Sequence, residues 1–256
     1  MAKISILRGE SVLASAEGTG EVLLVYNGEY VPGDAVLFET DDVHAILRAD
    51  AAIAPARVYL PGKKYLYPLP LTGDLPRAYP PQAFAGNRHI LSVTPDAPGE
   101  YRNLAVNPLD RRFDSTVFPH ASANVETRDE SVFFARNVID GLHYAKGHGL
   151  WPYISWGIGT RADACLTLDF GREVEIDKVV LYLRADFPHD AYWTQGTLTL
   201  SDGTGVTFPL NGIDGPQEIA IGTHRVTSLT LSGLVKCDMP SAFPALRQIE
   251  VYGKEV

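Results

Sequence analysis

Residues 164–186 read ACLTLDFGREVEIDKVVLYLRAD, and this stretch decides the fold class. It contains two apolar runs of strand length, ACLTLDFG and KVVLYLRAD, each followed by turn or polar residues. Comparable runs fill the second half of the chain: VFFARNVIDG, GTLTLSDG, VTFPLNG, QEIAIG, VTSLTLSGL and LRQIEVYG. Eight strands of this length in one domain predict a jelly roll.

The first hundred residues show the same pattern on a smaller scale. EVLLVYNGEY carries an Asn-Gly turn, and VPGDAVLFET, HAILRAD and ARVYLPG follow as strands bounded by Pro-Gly or acidic turns. Prolines crowd together between Tyr67 and Pro98, where they favour extended connecting segments. We therefore predict an all-β protein of two β-sandwich domains, residues 1–100 and residues 101–256.

Composition excludes several classes of partner. The net charge of -9 and the pI near 5.2 argue against nucleic acid and anionic membranes, because both require clustered Lys and Arg. The sequence contains no run of about 18 apolar residues, so it predicts no membrane-spanning helix. The N-terminus has no apolar stretch of signal-peptide length, so we expect a cytoplasmic protein as written, or a secreted one if a signal peptide has been removed. Cys165 and Cys237 do not indicate a disulfide framework.

Four short motifs follow one another in the second half. They are an Ala-x-Asn-x-x-Asp-Gly loop in SVFFARNVIDG, the Trp-rich WPYISWG, the run LTLDFGREVEIDKVVLYL and the closing LRQIEVYG. Together, over residues 125–253, they resemble the discoidin-like domains, also called coagulation-factor type C or galactose-binding-like domains. That family includes many sugar-binding modules of bacterial enzymes. The resemblance implies a carbohydrate-binding protein whose ligand residues lie on variable loops at one end of the C-terminal sandwich.

The resemblance also implies a structural calcium ion. In members that bind calcium, the Asp-Gly loop and the acid of the last strand form the site, which here means Asp140, carbonyl groups around Asn137 and Gly141, and Glu250. Carboxylate and carbonyl oxygens suit a hard cation, which would join the first and last strands. In the alternative interpretation Asp140 caps a turn and Glu250 faces water.

Two stretches depart from the commonest members of the family, GLHYAKGHGLWPYISWG and RADFPHDAYW, and we expect specificity to lie there. They contain all three tryptophans of the chain. An indole face buries apolar area against a sugar ring, and charged side chains bridge its hydroxyl groups. The predicted ligand-binding residues are His148, Trp151, Tyr153, Arg184, Asp186, His189, Asp190 and Trp193. Trp156, flanked by Ile and Gly, is predicted to be a core residue, and Arg184 with Asp186 has the alternative reading of a simple ion pair.

Two other functions stay open at this point. A glycoside hydrolase or lyase would use Asp186, His189 and Asp190 in the same loops as acid, base or metal ligands. The sequence has no metalloprotease motif, nucleophile elbow or phosphate-binding loop. A third hypothesis is an assembly or adhesion subunit whose first domain mediates homo-oligomerisation.

Overall fold

The computed structural model describes residues 1–144, 151–185 and 191–256. Within these ranges the chain forms antiparallel strands and short 3₁₀ helices and has no α-helix, so the predicted all-β class is confirmed. The strands are β1 Ala2–Arg8, β2 Ser11–Gly18, β3 Val22–Tyr26, β4 Asp34–Thr40, β5 His44–Arg48, β6 Ala56–Tyr59, β7 Lys64–Pro68, β8 His89–Pro95, β9 Arg102–Asn103, β10 His120–Ala123, β11 Trp156–Gly157, β12 Leu166–Leu183, β13 Trp193–Leu200, β14 Gly205–Pro209, β15 Pro216–Lys236 and β16 Ala245–Glu255. The 3₁₀ helices are Leu75–Ala78, Thr127–Asp129, Ser131–Phe133 and Ala135–Ile139. Of the helices that the structure describes, none has the length and apolar character needed to cross a membrane.

Two four-stranded sheets form the N-terminal sandwich. Their strand orders are β2-β1-β4-β7 and β3-β8-β5-β6. Side chains alternate between the two faces of a strand, and β7 shows the result: Tyr65 and Tyr67 are buried, whereas Leu66 between them is exposed. The buried rows of both sheets meet in one hydrophobic core.

One eight-stranded antiparallel sheet builds the C-terminal sandwich. Its order is β11-β16-β12-β15-β13-β14, with β10 paired to β12 and β9 paired to β16. The pairing register of β12 shifts between Asp169 and Val174, where Gly171 has a φ of 68°. Such irregularities bend a strand, so a single sheet can enclose its core. The runs ACLTLDFG and KVVLYL, predicted as separate strands, are therefore one strand, and QEIAIG and VTSLTLSGL likewise form one strand, β15.

The predicted strand VFFARNVIDG is wrong. This segment forms the two 3₁₀ helices Ser131–Phe133 and Ala135–Ile139. Its polar side chains bind backbone carbonyl groups instead of leaving the backbone to a neighbouring strand: the Asn137 amide donates to Ser131 O at 2.9 Å, and Arg136 Nη2 donates to Pro108 O at 2.6 Å. Side-chain bonds of this kind compete with sheet pairing.

The two cores divide close to the predicted domain boundary. Leu104 and Ala105 belong to the C-terminal core, whereas Leu109 and Val117 belong to the N-terminal core. The connecting segment therefore contributes to both cores, and a boundary after residue 100 stays a prediction.

Candidate functional site

A cavity of about 520 Å³ opens where the first half of the chain meets one end of the C-terminal sandwich. Arg77 comes from the Leu75–Ala78 helix. The remaining walls come from the three consecutive 3₁₀ helices of residues 127–139 (the 3₁₀ segment), the loop around β11, the end of β12 and the loop before β16. The described lining residues are Arg77, Thr127, Arg128, Glu130, Val132, Phe133, Tyr153, Gly157, Ile158, Gly159, Arg184, Phe243 and Pro244. This volume lies within the range of small-molecule binding sites.

Arg184 is fixed at the base of this cavity. It directly follows β12, its backbone N–H donates to Ala245 O at 2.9 Å, and it is only 3% exposed. Its guanidinium group donates to Ser155 Oγ at 3.0 Å and to Phe243 O at 3.2 Å. The Cζ atom lies 5.1 Å from the centre of the Tyr153 ring, within the distance of a cation–π contact. These contacts hold the guanidinium in one orientation.

The opposite wall combines a ring with several charges. The Phe133 ring centre lies 5.3 Å from the Arg128 Cζ atom and 6.0 Å from the Arg184 Cζ atom. Arg128 Nε donates to Glu130 at 2.6 Å, and Arg77 Nη1 is 3.5 Å from the same carboxylate. The hydrogen bond from Arg128 lowers the pKa of Glu130, so this side chain is charged at neutral pH. The rim therefore offers both hydrogen-bond donors and acceptors to a ligand.

Unusual backbone conformations cluster at the same rim. Arg128, Asp129 and Thr160 have φ angles of 54°, 57° and 73°, in the left-handed region that costs non-glycine residues about 1–3 kcal/mol each. On the floor, a Cβ atom at Gly157 would lie 2.7 Å from Thr127 Oγ1. Glycine at this position lets the 3₁₀ segment approach β11 closely. Backbone strain of this kind concentrates at functional sites.

The structure brings two of the predicted ligand residues together, Tyr153 and Arg184. Trp151 lines a separate cavity of about 100 Å³ beside Tyr79 and Leu142. The two cavities are neighbours, because the backbone N–H of Trp151, in the smaller cavity, donates to the backbone carbonyl of Arg77, in the larger one, at 3.2 Å. His148, Asp186, His189 and Asp190 lie outside the described residues.

The burial of Trp193 corrects the prediction for that residue. Trp193 is 1% exposed and packs in the C-terminal core with its ring centre 6.2 Å from that of Trp156. An indole in this position has no face for a ligand. Trp156 is also fully buried, as its apolar neighbours predict, and its Nε1 donates to Val125 O at 2.8 Å.

Sequence reasoning missed most of the cavity lining. Phe133 fell within a run interpreted as a strand, and Phe243 belongs to a short loop before β16 that carried no motif. The charged sequence Arg128-Asp129-Glu130 was the one local signal of this rim. Arg77 lies far away in the chain, so only the fold brings it to the site.

The side chains predicted to hold calcium have other partners. The Asp140 carboxylate accepts from Arg247 Nη2 at 3.1 Å, and the Glu250 carboxylate lies 2.8 Å from His143 Nε2. The Asn137 backbone carbonyl group accepts from Arg247 Nη1 at 2.9 Å. Among the described residues, no three His, Cys, Asp or Glu side chains are grouped as a metal ion would require. With a guanidinium group against Asp140, these residues do not fit the predicted calcium ion.

A further cavity, of about 390 Å³, lies between the two halves of the chain. Its buried polar side chains form hydrogen bonds with other groups of the protein and so stabilise the fold. Arg136 donates to Pro108 O and Asp110 O, while the Asp110 carboxylate accepts from His120 Nδ1 at 2.8 Å and from the Ala121 N–H at 2.9 Å. We therefore regard the cavity at Arg184 as the candidate functional site.

No family model matches the chain, and no curated protein sequence matches it significantly. Solved structures are similar to 52–60% of its length. A chitosan-binding module from a chitosanase/glucanase of Paenibacillus sp. IK-5 is 20% identical, with 59% of this chain and 99% of the module covered and a TM-score of 0.40. The family 32 carbohydrate-binding module of Clostridium perfringens NanJ, in complex with galactose, is 14% identical, with 52% and 91% covered and a TM-score of 0.39.

A fucose binding module of Streptococcus pneumoniae is similar to the same degree, at 13% identity with 59% of this chain and 97% of the module covered and a TM-score of 0.39.

Proposed function

We propose that this protein binds a glycan in the cavity at Arg184. The observation that carries the proposal is the arrangement of Arg184, a buried guanidinium fixed between Tyr153 and Phe133 and facing a cavity with aromatic walls and a charged rim. Planar polar groups beside aromatic faces match a sugar ring, which has hydroxyl groups at its edge and C–H groups on its faces.

Phe243 is the aromatic platform in this proposal. It lines the cavity and is 51% exposed, whereas Tyr153 is buried beneath Arg184. A sugar face that covers about 50 Å² of a phenyl ring contributes about 1 kcal/mol at 25 cal/mol per Å². With hydrogen bonds from the charged rim, we expect weak binding, with dissociation constants of about 10 μM to 1 mM.

The test begins with a glycan array, followed by titration calorimetry with the best ligand. Phe243→Ala should weaken binding about fivefold or more, because it removes the platform and the water-excluding edge of the cavity. Phe113→Ala is the matched control, since Phe113 is 88% exposed and does not line this cavity. Both variants should keep the wild-type melting temperature. Equal affinities of wild type and Phe243→Ala, or equal losses in both variants, would contradict the proposal.

The glycan-active enzyme stays a prediction, because Asp186, His189 and Asp190 lie outside the described residues and no described contact favours it. Chromatographic analysis of oligosaccharides incubated with the protein tests it directly. Homo-oligomerisation through the first domain is likewise a prediction, and light scattering of the purified protein checks it.

A further inference from the structure

The guanidinium group of Arg247 is surrounded by oxygen atoms. Arg247 lies in β16 and is fully buried. Nη2 lies 3.1 Å from each carboxylate oxygen of Asp140, Nη1 donates to Asn137 O at 2.9 Å, and Nε donates to Tyr144 O at 3.1 Å. One carboxylate and two carbonyl groups therefore surround a single fixed positive charge.

We propose that Arg247 takes the place of the structural calcium ion, so that the C-terminal sandwich fastens the turn at residues 137–144 to β16 without a divalent metal. The oxygens that Arg247 binds include the Asp140 carboxylate and the Asn137 carbonyl group, which are the atoms that the sequence resemblance assigned to calcium. Carboxylate and carbonyl oxygens are also the ligands that Ca²⁺ prefers. The same oxygens here bind an organic cation.

A guanidinium group can perform this task for two reasons. Its charge is permanent, and its fork of N–H groups reaches several oxygens at once. It is also covalently attached to β16, so its occupancy does not depend on a free ion concentration, whereas the stabilisation by a metal ion rises and falls with that concentration.

The two cations exclude each other. Calcium binds its oxygens at about 2.3–2.6 Å and needs six to eight of them. Arg247 already lies between Asp140, Asn137 and Tyr144, and a second cation at the same carboxylate would be repelled by it. Glu250 does not supply the missing charge at Asp140, because its carboxylate binds His143 and the Tyr252 hydroxyl group.

The segment that Arg247 holds closes the C-terminal core. Val138 and Ile139 lie in that core, and the Leu142 N–H donates to Asp140 Oδ1 at 2.9 Å, which orders the turn that follows. The Asn107 N–H donates to Ile139 O at 2.7 Å and connects the same segment to the junction between the two halves. Loss of the cation should therefore loosen this end of the sandwich.

The decisive experiment compares thermal unfolding and calcium calorimetry of wild type and variants in EDTA and in CaCl₂. Wild type should bind no calcium here, and its melting temperature should change by less than about 1 °C between the two buffers. Arg247→Ala removes the charge and leaves the oxygens. Its melting temperature should fall in EDTA and rise by about 3 °C or more in millimolar calcium, and this response should disappear in Arg247→Ala with Asp140→Asn.

Arg247→Lys is the matched control, since it keeps the charge and loses the fork, and it should be less stable than wild type but insensitive to calcium. If Arg247→Ala does not fold, wild type and Arg247→Lys decide: insensitivity of both supports the proposal, and a response of either overturns it. Calcium binding by wild type that Asp140→Asn abolishes, or a folded Arg247→Ala variant without a calcium response, would also overturn it.

Discussion

Trp156 and Trp193 pack against each other in the C-terminal core but differ in one hydrogen bond, and replacing each by Phe isolates its effect. The indole N–H of Trp156 donates to Val125 O at 2.8 Å. Within the described part of the chain, the buried indole N–H of Trp193 has no hydrogen-bond partner. Both side chains are almost completely buried, so the same substitution removes a similar number of core atoms at each position.

The expected magnitudes follow from these contacts. Each substitution leaves a small cavity, which costs about 1–2 kcal/mol. Trp193→Phe also removes an unpaired buried donor, which relieves about 1–2 kcal/mol, so its net effect should be close to zero. Trp156→Phe leaves the Val125 carbonyl without its donor and should lose about 1–2 kcal/mol more than the cavity alone. The two variants should therefore differ by about 2–4 kcal/mol in the free energy of unfolding.

Thermal unfolding followed by circular dichroism measures this difference. In a unit of 150–250 residues, 1 kcal/mol shifts the melting temperature by about 2–4 °C, so Trp156→Phe should melt about 4–16 °C below Trp193→Phe. Trp193→Phe should also leave glycan affinity unchanged, because this ring lies in the core. Equal losses in both variants, or a larger loss in Trp193→Phe, would refute the reasoning.

Two further predictions concern the bend of β12 at Gly171 and the buried pair of His120 and Asp110. Gly171→Ala should lower the free energy of unfolding, measured in urea, by at least about 2 kcal/mol more than Gly203→Ala. Both glycines have a positive φ. A Cβ atom at Gly171 would lie 2.3 Å from the Phe118 ring, whereas one at Gly203 would meet no atom within 4 Å. Equal losses would show that the ring moves aside. Burial lowers the pKa of His120, but the hydrogen bond and charge of Asp110 outweigh it and raise the pKa above 6.5. The stabilisation from protonated His120 is thus complete below pH 6.5 and is lost as the pH rises through the raised pKa. The melting temperature of wild type should fall over that pH range, and that of His120→Gln should fall less. Parallel pH profiles of the two proteins would contradict this assignment.

The class of the fold could be read from the sequence because strands and turns are encoded locally. Short apolar runs bounded by turn residues predict β3, β4, β5 and β6 in the first half, and they predict most of the C-terminal strands, β16 among them. The exceptions are also local in origin. Polar side chains of Arg136 and Asn137 hold backbone carbonyl groups, which turns an apolar run into 3₁₀ helix.

The candidate site was predictable only in part. Of the residues predicted to bind a ligand, Tyr153 and Arg184 line the cavity, since they stand in loops beside β11 and β12. Phe243 and Arg77 were not found, because neither belongs to a motif, and each reaches the cavity through contacts made far along the chain.

The sequence by itself determined that this chain forms antiparallel β-structure in two halves, since the period of its apolar residues and the positions of its turn residues act over a few neighbours. Only the tertiary structure decided which aromatic rings lie in the core and which charges meet. An indole suits a core and a ligand surface equally well, so Trp193 could be assigned only once its neighbours were known. Arg247 and Asp140 are 107 residues apart, and their contact depends on the folded sheet, which local sequence does not encode.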